Sequence, residues 1–191
     1  MCVTLSDGSS FFVLKEVQVS QAVYPGAEIG VDERLRLERL SEARAATRGA
    51  LALLARAPHS RHGLGLKLIK RGHAAQAIAA ALDRAEALGY LDDARFAEEW
   101  VRLRLDRHPE GRAPLVAGLR ERGVSRQTAE EVVARVVTDE VEEESLLRAL
   151  ARARRGGPGA AARLAARLRS LGFAHRLIRR HVPDADRAGD A

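Results

Sequence analysis

Few side chains in this sequence have the types and spacing that covalent or metal chemistry requires. Cys2 is the only cysteine among 191 residues, so no intramolecular disulfide can form. It stands at the terminus without a nearby histidine to activate it as a nucleophile. His59, His62 and His73 could be zinc ligands, but residues 59–73 contain no carboxylate or thiolate to complete a set. His59 and His62 read instead as part of a basic helix start. Asp92-Asp93 with Glu98-Glu99 could hold a divalent ion, yet aspartates at a helix start more often cap N–H groups and complement the dipole. No phosphate-cradling GxxxxGK[ST] loop, GxSxG elbow or HExxH helix occurs. The expectation is a chain without catalytic residues, metal site or cofactor, and not an enzyme.

Arginine is the side chain that stands out. Of 32 basic residues only Lys15, Lys67 and Lys70 are lysines, and the net charge is +6. A GC-rich genome would inflate Arg by itself, so the distribution matters more than the total. Residues 34–73 carry ten basic residues and two acids, whereas residues 139–144 (DEVEEE) carry five acids and no base. From Ser145 to His181 there are ten Arg and no acid. Solvated helix faces usually mix signs, because like charges at helical spacing repel. A one-signed stretch therefore predicts a polyanion or an acidic protein as partner. The candidates are Arg56, Arg61, Lys67, Lys70 and Arg71 in an early group. Arg102, Arg104, Arg120 and Arg122 form a middle group. Arg163, Arg167, Arg169, Arg176, Arg179 and Arg180 form a late one. No aromatics interleave them, which favours contact with a strand's backbone over base stacking. Trp100, with Phe96 and Leu103 at spacings of four and three, reads as helix core.

The elements that must position these residues are helical. Aromatics are 4% of the chain, so any core is built from Leu, Ala, Val and Ile. The first residues differ: Val3-Thr4-Leu5 and Phe11-Phe12-Val13-Leu14 flank Ser6-Asp7-Gly8-Ser9, a hairpin signal. Pro25-Gly26 marks a further turn. From about Asp32, a plausible N-cap, the apolar pattern becomes helical, beginning with Leu35, Leu37 and Leu40. An internal repeat then governs the chain. Gly72, Gly123 and Gly172 are each preceded by Leu at four residues (Leu68, Leu119, Leu168) and at eight (Leu64, Leu115, Leu164). Each is followed six residues later by Ile78, Ala129 or Ile178. Leu at i and i+4 share a helix face. The Gly fits the left-handed position after a helix cap, which pairs His73 with Leu68, Val124 with Leu119 and Phe173 with Leu168. Gly89 ends another helix in the same way. Another helix precedes each pair, and GGPG at 156–159 ends the third of these.

The sequence thus predicts an all-α fold of tandem three-helix, helix-turn-helix-like repeats forming an elongated curved body. The expected partition is a hairpin leader at 1–31, repeats at 32–90, 91–138 and 139–182, and a disordered tail at 183–191. No signal peptide or membrane-length apolar run is seen, so a cytoplasmic protein without membrane contact is expected.

With the repeats laid out, the sequence resembles the RecX family of bacterial regulatory proteins. The resemblance is carried by GYLDDARFAEEWVRLRL (89–105), LLARAPHSRHGLGLKLIKRG (53–72) and LVAGLRERGVSRQTAEEVV (115–133), and covers about residues 45–182. Gly63 stands where the family commonly has Glu, and the Ala/Arg-rich third repeat matches more loosely. What the resemblance implies is function without chemistry. It implies a negative regulator that binds the RecA recombinase filament in its groove and dampens ATPase, strand exchange and coprotease-promoting activities. That places it in homologous recombination, DNA repair and the SOS response. Sequence-independent contact with single- and double-stranded DNA is implied as well, by a protein acting as a monomer. The competing reading is a tandem helix-turn-helix architectural protein acting on duplex DNA without RecA.

Overall fold

The computed structural model describes residues 2–4, 8, 10–15, 24, 26–153 and 160–183. Asp7 and Pro25 of the expected turns, the GGPG segment and the tail from 184 lie outside the described residues. Two antiparallel strands, β1 (Cys2–Thr4) and β2 (Ser10–Phe12), pair with Val3 opposite Phe11. Nine described helices follow: α1 (Val31–Leu54), α2 (Arg61–Lys70), α3 (Ala75–Ala87), α4 (Asp93–Arg107), α5 (Arg112–Glu121), α6 (Arg126–Val136), α7 (Asp139–Ala153), α8 (Ala160–Ser170) and α9 (His175–His181). They fall into two compact units, Met1–Asp92 and Asp93–Ala191.

In the first unit α1 begins at Val31 behind an extended Gly30, not at an Asp32 cap. The Arg34 N–H reaches the Gly30 carbonyl at 2.9 Å, and Asp32 and Glu33 occupy the first turn, where acid suits the dipole. Of the expected leucine stripe only Leu37 is fully buried, under Phe11 and Val13 of the hairpin segment, and Leu35 faces outward. The Leu14 N–H donates to Ser41 Oγ at 3.1 Å, tying that segment to α1. Further along, Ala46, Ala50 and Leu53 pack with Leu64 and Leu68 of α2 and with Ala77, Ile78, Ala81, Leu82 and Ala85 of α3. The many alanines let the helix backbones approach closely. Ser60 caps α2 by accepting from the Gly63 N–H at 3.0 Å.

The second unit has two cores. Ala97, Val101 and Leu105 of α4 lie on one face and meet Leu115, Leu119, Val124, Ala129, Val132 and Val133. Phe96 and Trp100 of the expected α4 stripe are partly buried and pack against this core; only Leu103 departs from the expectation and is exposed. Leu146, Ala149 and Leu150 of α7 meet Ala165, Leu168, Phe173 and Ile178. The repeat leucines before each glycine are buried, except that Leu164 is partly so.

The repeated glycine turn closes the same way each time. Gly72, Gly123 and Gly172 have φ of 82°, 79° and 78°. The N–H of the next residue, His73, Val124 or Phe173, returns to the carbonyl of Leu68, Leu119 or Leu168 at 3.1–3.3 Å. This is the six-to-one bond of the left-handed helix cap.

Candidate functional site

The predicted basic residues divide sharply once their partners are seen. Arg61 is held by α3: one guanidinium nitrogen lies 2.5 Å from Asp83 Oδ1 and another 2.6 Å from Glu86 Oε2. The hydrogen bond to Asp83 is the main cause of its raised pKa. Arg104 donates twice to the buried Glu110, at 2.6 and 3.3 Å, and that bond likewise raises its pKa. Arg102 sits 3.5 Å from Glu98, which also pairs with Arg135. Arg122 lies over the Trp100 ring at 4.7 Å and donates to the Gly118 carbonyl at 2.8 Å. Arg61, Arg104 and Arg122 thus join pieces of the fold, whereas Arg102 pairs within its own helix.

The late group was expected to be free of acid, and that holds only along the chain. In the fold α9 lies beside the acidic start of α7. Arg176 is 3.6 Å from Asp139, and Arg180 is 3.6 Å from Glu143. Glu143 also meets His181 Nε2 at 2.7 Å. Asp139, Glu142, Glu143, Arg176, Leu177 and Arg180 line a cavity of about 330 Å³. Both arginine side chains remain about three-quarters exposed. Arg163 and Arg179 are exposed. Arg167 and Arg169 are exposed too and form no ion pair with a described residue.

In the early group Arg56, Lys67, Lys70 and Arg71 are exposed, as is Arg120 of the middle group. The Lys67 ammonium is 3.2 Å from His59 Nε2. Partial burial, then the Lys67 charge, lowers the His59 pKa. His73 turns elsewhere, its Nδ1 3.0 Å from Glu42 Oε1. The three histidines therefore do not converge, and no group of three or more His, Cys, Asp or Glu able to hold a metal occurs among the described residues.

Sequence reasoning missed two sets of arginines. Arg112 bridges to Asp139 (2.7 Å) and Glu142 (3.2 Å), Arg148 donates to the Leu105 carbonyl, and Arg152 donates to the Arg107 carbonyl. With the Gly111 N–H on the Leu171 carbonyl at 2.8 Å and Ser145 Oγ on the Glu110 carbonyl at 3.2 Å, they fasten α4–α6 to α7–α9. Nothing in spacing marks these long-range pairs. The second set is Arg44, Arg48 and Arg84, which line one open groove between α1 and α3 with Thr47, Leu51 and Ala52. Arg44 and Arg48, four apart on one helix, were visible as a pair, but only the fold brings Arg84 to them.

Fold and surface together define a class: tandem three-helix repeats with glycine-capped turns and an arginine-rich exterior. The comparisons narrow that class. The family model described as RecX, first three-helix domain, matches residues 48–84, and that of the RecX second three-helix domain matches residues 92–133. Regulatory protein RecX of Treponema pallidum (strain Nichols) is 39% identical over 110 residues, covering 58% of this chain and 67% of its own. Regulatory protein RecX of Halorhodospira halophila is 37% identical over 142 residues, covering 72% and 84%. Among solved structures, a crystal structure of regulatory protein RecX matches with TM-score 0.76 over 94% of this chain and 92% of its own, at 18% identity. RecX from Lactobacillus salivarius matches with TM-score 0.66 over 76% and 97%, also at 18% identity. The chain belongs to the RecX family of regulatory proteins. No described helix is long and apolar enough to cross a membrane.

Proposed function

We propose that this protein is a non-catalytic negative regulator of RecA recombinase. It binds the RecA–DNA filament in its groove and lowers ATP hydrolysis, strand exchange and coprotease-promoting activity. It acts in the cytoplasm as a monomer, in homologous recombination and the SOS response. The observation that carries this reading is membership of the RecX family. The exterior supports it: Lys67, Lys70 and Arg71 after the first core helix, and Arg167 and Arg169 on α8, present charge outward. Arginine suits this role because its planar fork binds phosphate or carboxylate with two donors at once. Contact with DNA is accordingly sequence-independent, made through phosphates.

The helix-turn-helix-like α2–α3, α5–α6 and α8–α9 pairs keep the architectural reading in play, in which duplex DNA alone is the target. The two readings part in an ATPase assay. Added at substoichiometric amounts, the protein lowers RecA-driven, single-strand-dependent ATP hydrolysis. Undiminished hydrolysis, together with salt-sensitive binding to bare duplex, overturns the recombinase reading in favour of the architectural one.

A further inference from the structure

Helix α2 turns one face toward the core and leaves two large apolar side chains outside it. Leu64 and Leu68 are fully buried, whereas Leu66 is 46% and Ile69 59% exposed. At about 100° per residue, His62, Leu66 and Ile69 fall at i, i+4 and i+7 and form one outward row. Helix stability does not call for this row, because Ile is a weaker helix former than Ala or Lys. Apolar residues scattered singly over a surface are ordinary, but adjoining ones rimmed by polar groups mark a contact surface. Lys67 and Lys70 run along one flank of the row and Arg71 follows at the helix end, all three exposed. No described carboxylate pairs with any of them: Lys67 Nζ lies 3.2 Å from His59 Nε2, and Arg71 donates to the Gly49 carbonyl at 3.4 Å. From Ala43 to Leu82 the chain has no acid. The carboxylates that reach this region from elsewhere are taken by Arg61 and His73.

We propose that the outward face of α2 is a protein-docking surface for an acidic amphipathic segment, whose aliphatic side chains cover Leu66 and Ile69 and whose carboxylates meet Lys67, Lys70 and Arg71. Anchors at i, i+4 and i+7 are the spacing with which a helix presents itself to a partner's apolar surface. The unneutralised cations on the flank select a partner that carries acid beside its apolar residues. The apolar row makes that partner a protein rather than a nucleic acid. A phosphate backbone offers Leu66 and Ile69 nothing to bury against, and aliphatic side chains do not stack on bases as aromatic rings do. Resting on the recombinase reading and deepening it, the surface assigns α2 to the protein of the filament and leaves strand contact to cations elsewhere, such as Arg167 and Arg169.

The test uses the full chain and an immobilised oligothymidylate, either bare or coated with RecA in a slowly hydrolysed ATP analogue, with binding read by biolayer interferometry. Leu66→Gln with Ile69→Gln weakens binding to the coated strand at least about tenfold, the loss expected when apolar anchors at the centre of an interface are removed. Binding of the same variant to the bare strand stays as in wild type. Lys67→Glu with Lys70→Glu also weakens binding to the coated strand, and added NaCl narrows its difference from wild type. A control, Leu103→Gln with Leu147→Gln, removes two exposed leucines of the second unit and leaves both affinities unchanged. Helical circular dichroism verifies that all three variants fold. Unchanged affinity of either α2 variant for the coated strand overturns the surface. So does an equal loss in the control, or an equal loss on the bare strand, which would make α2 a nucleic-acid contact. Wild-type protein that binds coated and bare strand alike contradicts the recombinase reading itself, and the α2 surface falls with it; the wild-type result therefore tells the two failures apart.

Discussion

Gly111→Ala tests how the three-helix sets of the second unit are fastened. A Cβ built on Gly111 would lie 2.1 Å from the Gly172 carbonyl oxygen, 2.4 Å from its carbon and 2.8 Å from the Phe173 nitrogen. All three are backbone atoms and cannot rotate away, so the 109–111 segment must lift off the α8–α9 turn. Overpacking of this kind costs ~1–3 kcal/mol. Lifting also breaks the 2.8 Å bond from the Gly111 N–H to the Leu171 carbonyl, a further ~0.5–1.5 kcal/mol. The predicted loss is about 2–4 kcal/mol. Gly72→Ala is the reference. Its φ of +82° disfavours a side chain, but a Cβ there meets nothing within 4 Å, so only the left-handed penalty of ~1–2 kcal/mol applies. Urea unfolding followed by circular dichroism measures both variants, and Trp100 fluorescence reports the second unit alone. A Gly111→Ala variant as stable as wild type, or less damaged than Gly72→Ala, refutes the backbone contact.

Other expected outcomes follow from single contacts. Arg61→Ala loses its bonds to Asp83 and Glu86, both solvent-accessible. It therefore lowers stability by only ~0.5–1 kcal/mol and leaves the salt dependence of DNA binding unchanged, whereas Arg163→Glu with Arg167→Glu weakens DNA retention and ATPase inhibition. Gly65→Ala raises the unfolding free energy by ~0.5–1 kcal/mol, read as a higher urea midpoint, since its Cβ would meet only Leu82 Cδ1 at 3.6 Å, an ordinary contact. Gly118→Ala drives a methyl to within 2.6 Å of the Trp100 ring, so indole emission shifts to the red as the ring and Arg122 separate. Burial and Lys67 hold the His59 pKa below its usual 6.5. In that window the unfolded chain binds more protons, so stability falls as pH drops below 6.5 and His59→Gln flattens that limb. Parallel pH profiles for the two proteins would contradict this.

Much of the fold was legible because local rules repeat. Leu at four and eight residues before a glycine is enough to place a helix, its buried face and its left-handed stop, and the returning bonds at His73, Val124 and Phe173 follow from that. On α4, Phe96 and Trp100 do pack against the core, but Leu103 faces outward, because the fully buried line runs through Ala97, Val101 and Leu105 at spacings of four. The site was less legible. Charge counted along the chain cannot see that the α7 acids lie against Arg176 and Arg180, or that Arg61 and Arg104 find carboxylates on other elements. Arg84 joins Arg44 and Arg48 only through packing of α3 on α1, an Ala-mediated approach that no spacing announces.

Recombinase recognition is tested most directly by measuring binding to single-stranded DNA coated with RecA and, in parallel, to bare duplex at the same salt. The account predicts retention on the coated strand at protein concentrations and salt that release the duplex. Equal affinity for both, falling together as salt rises, would contradict it.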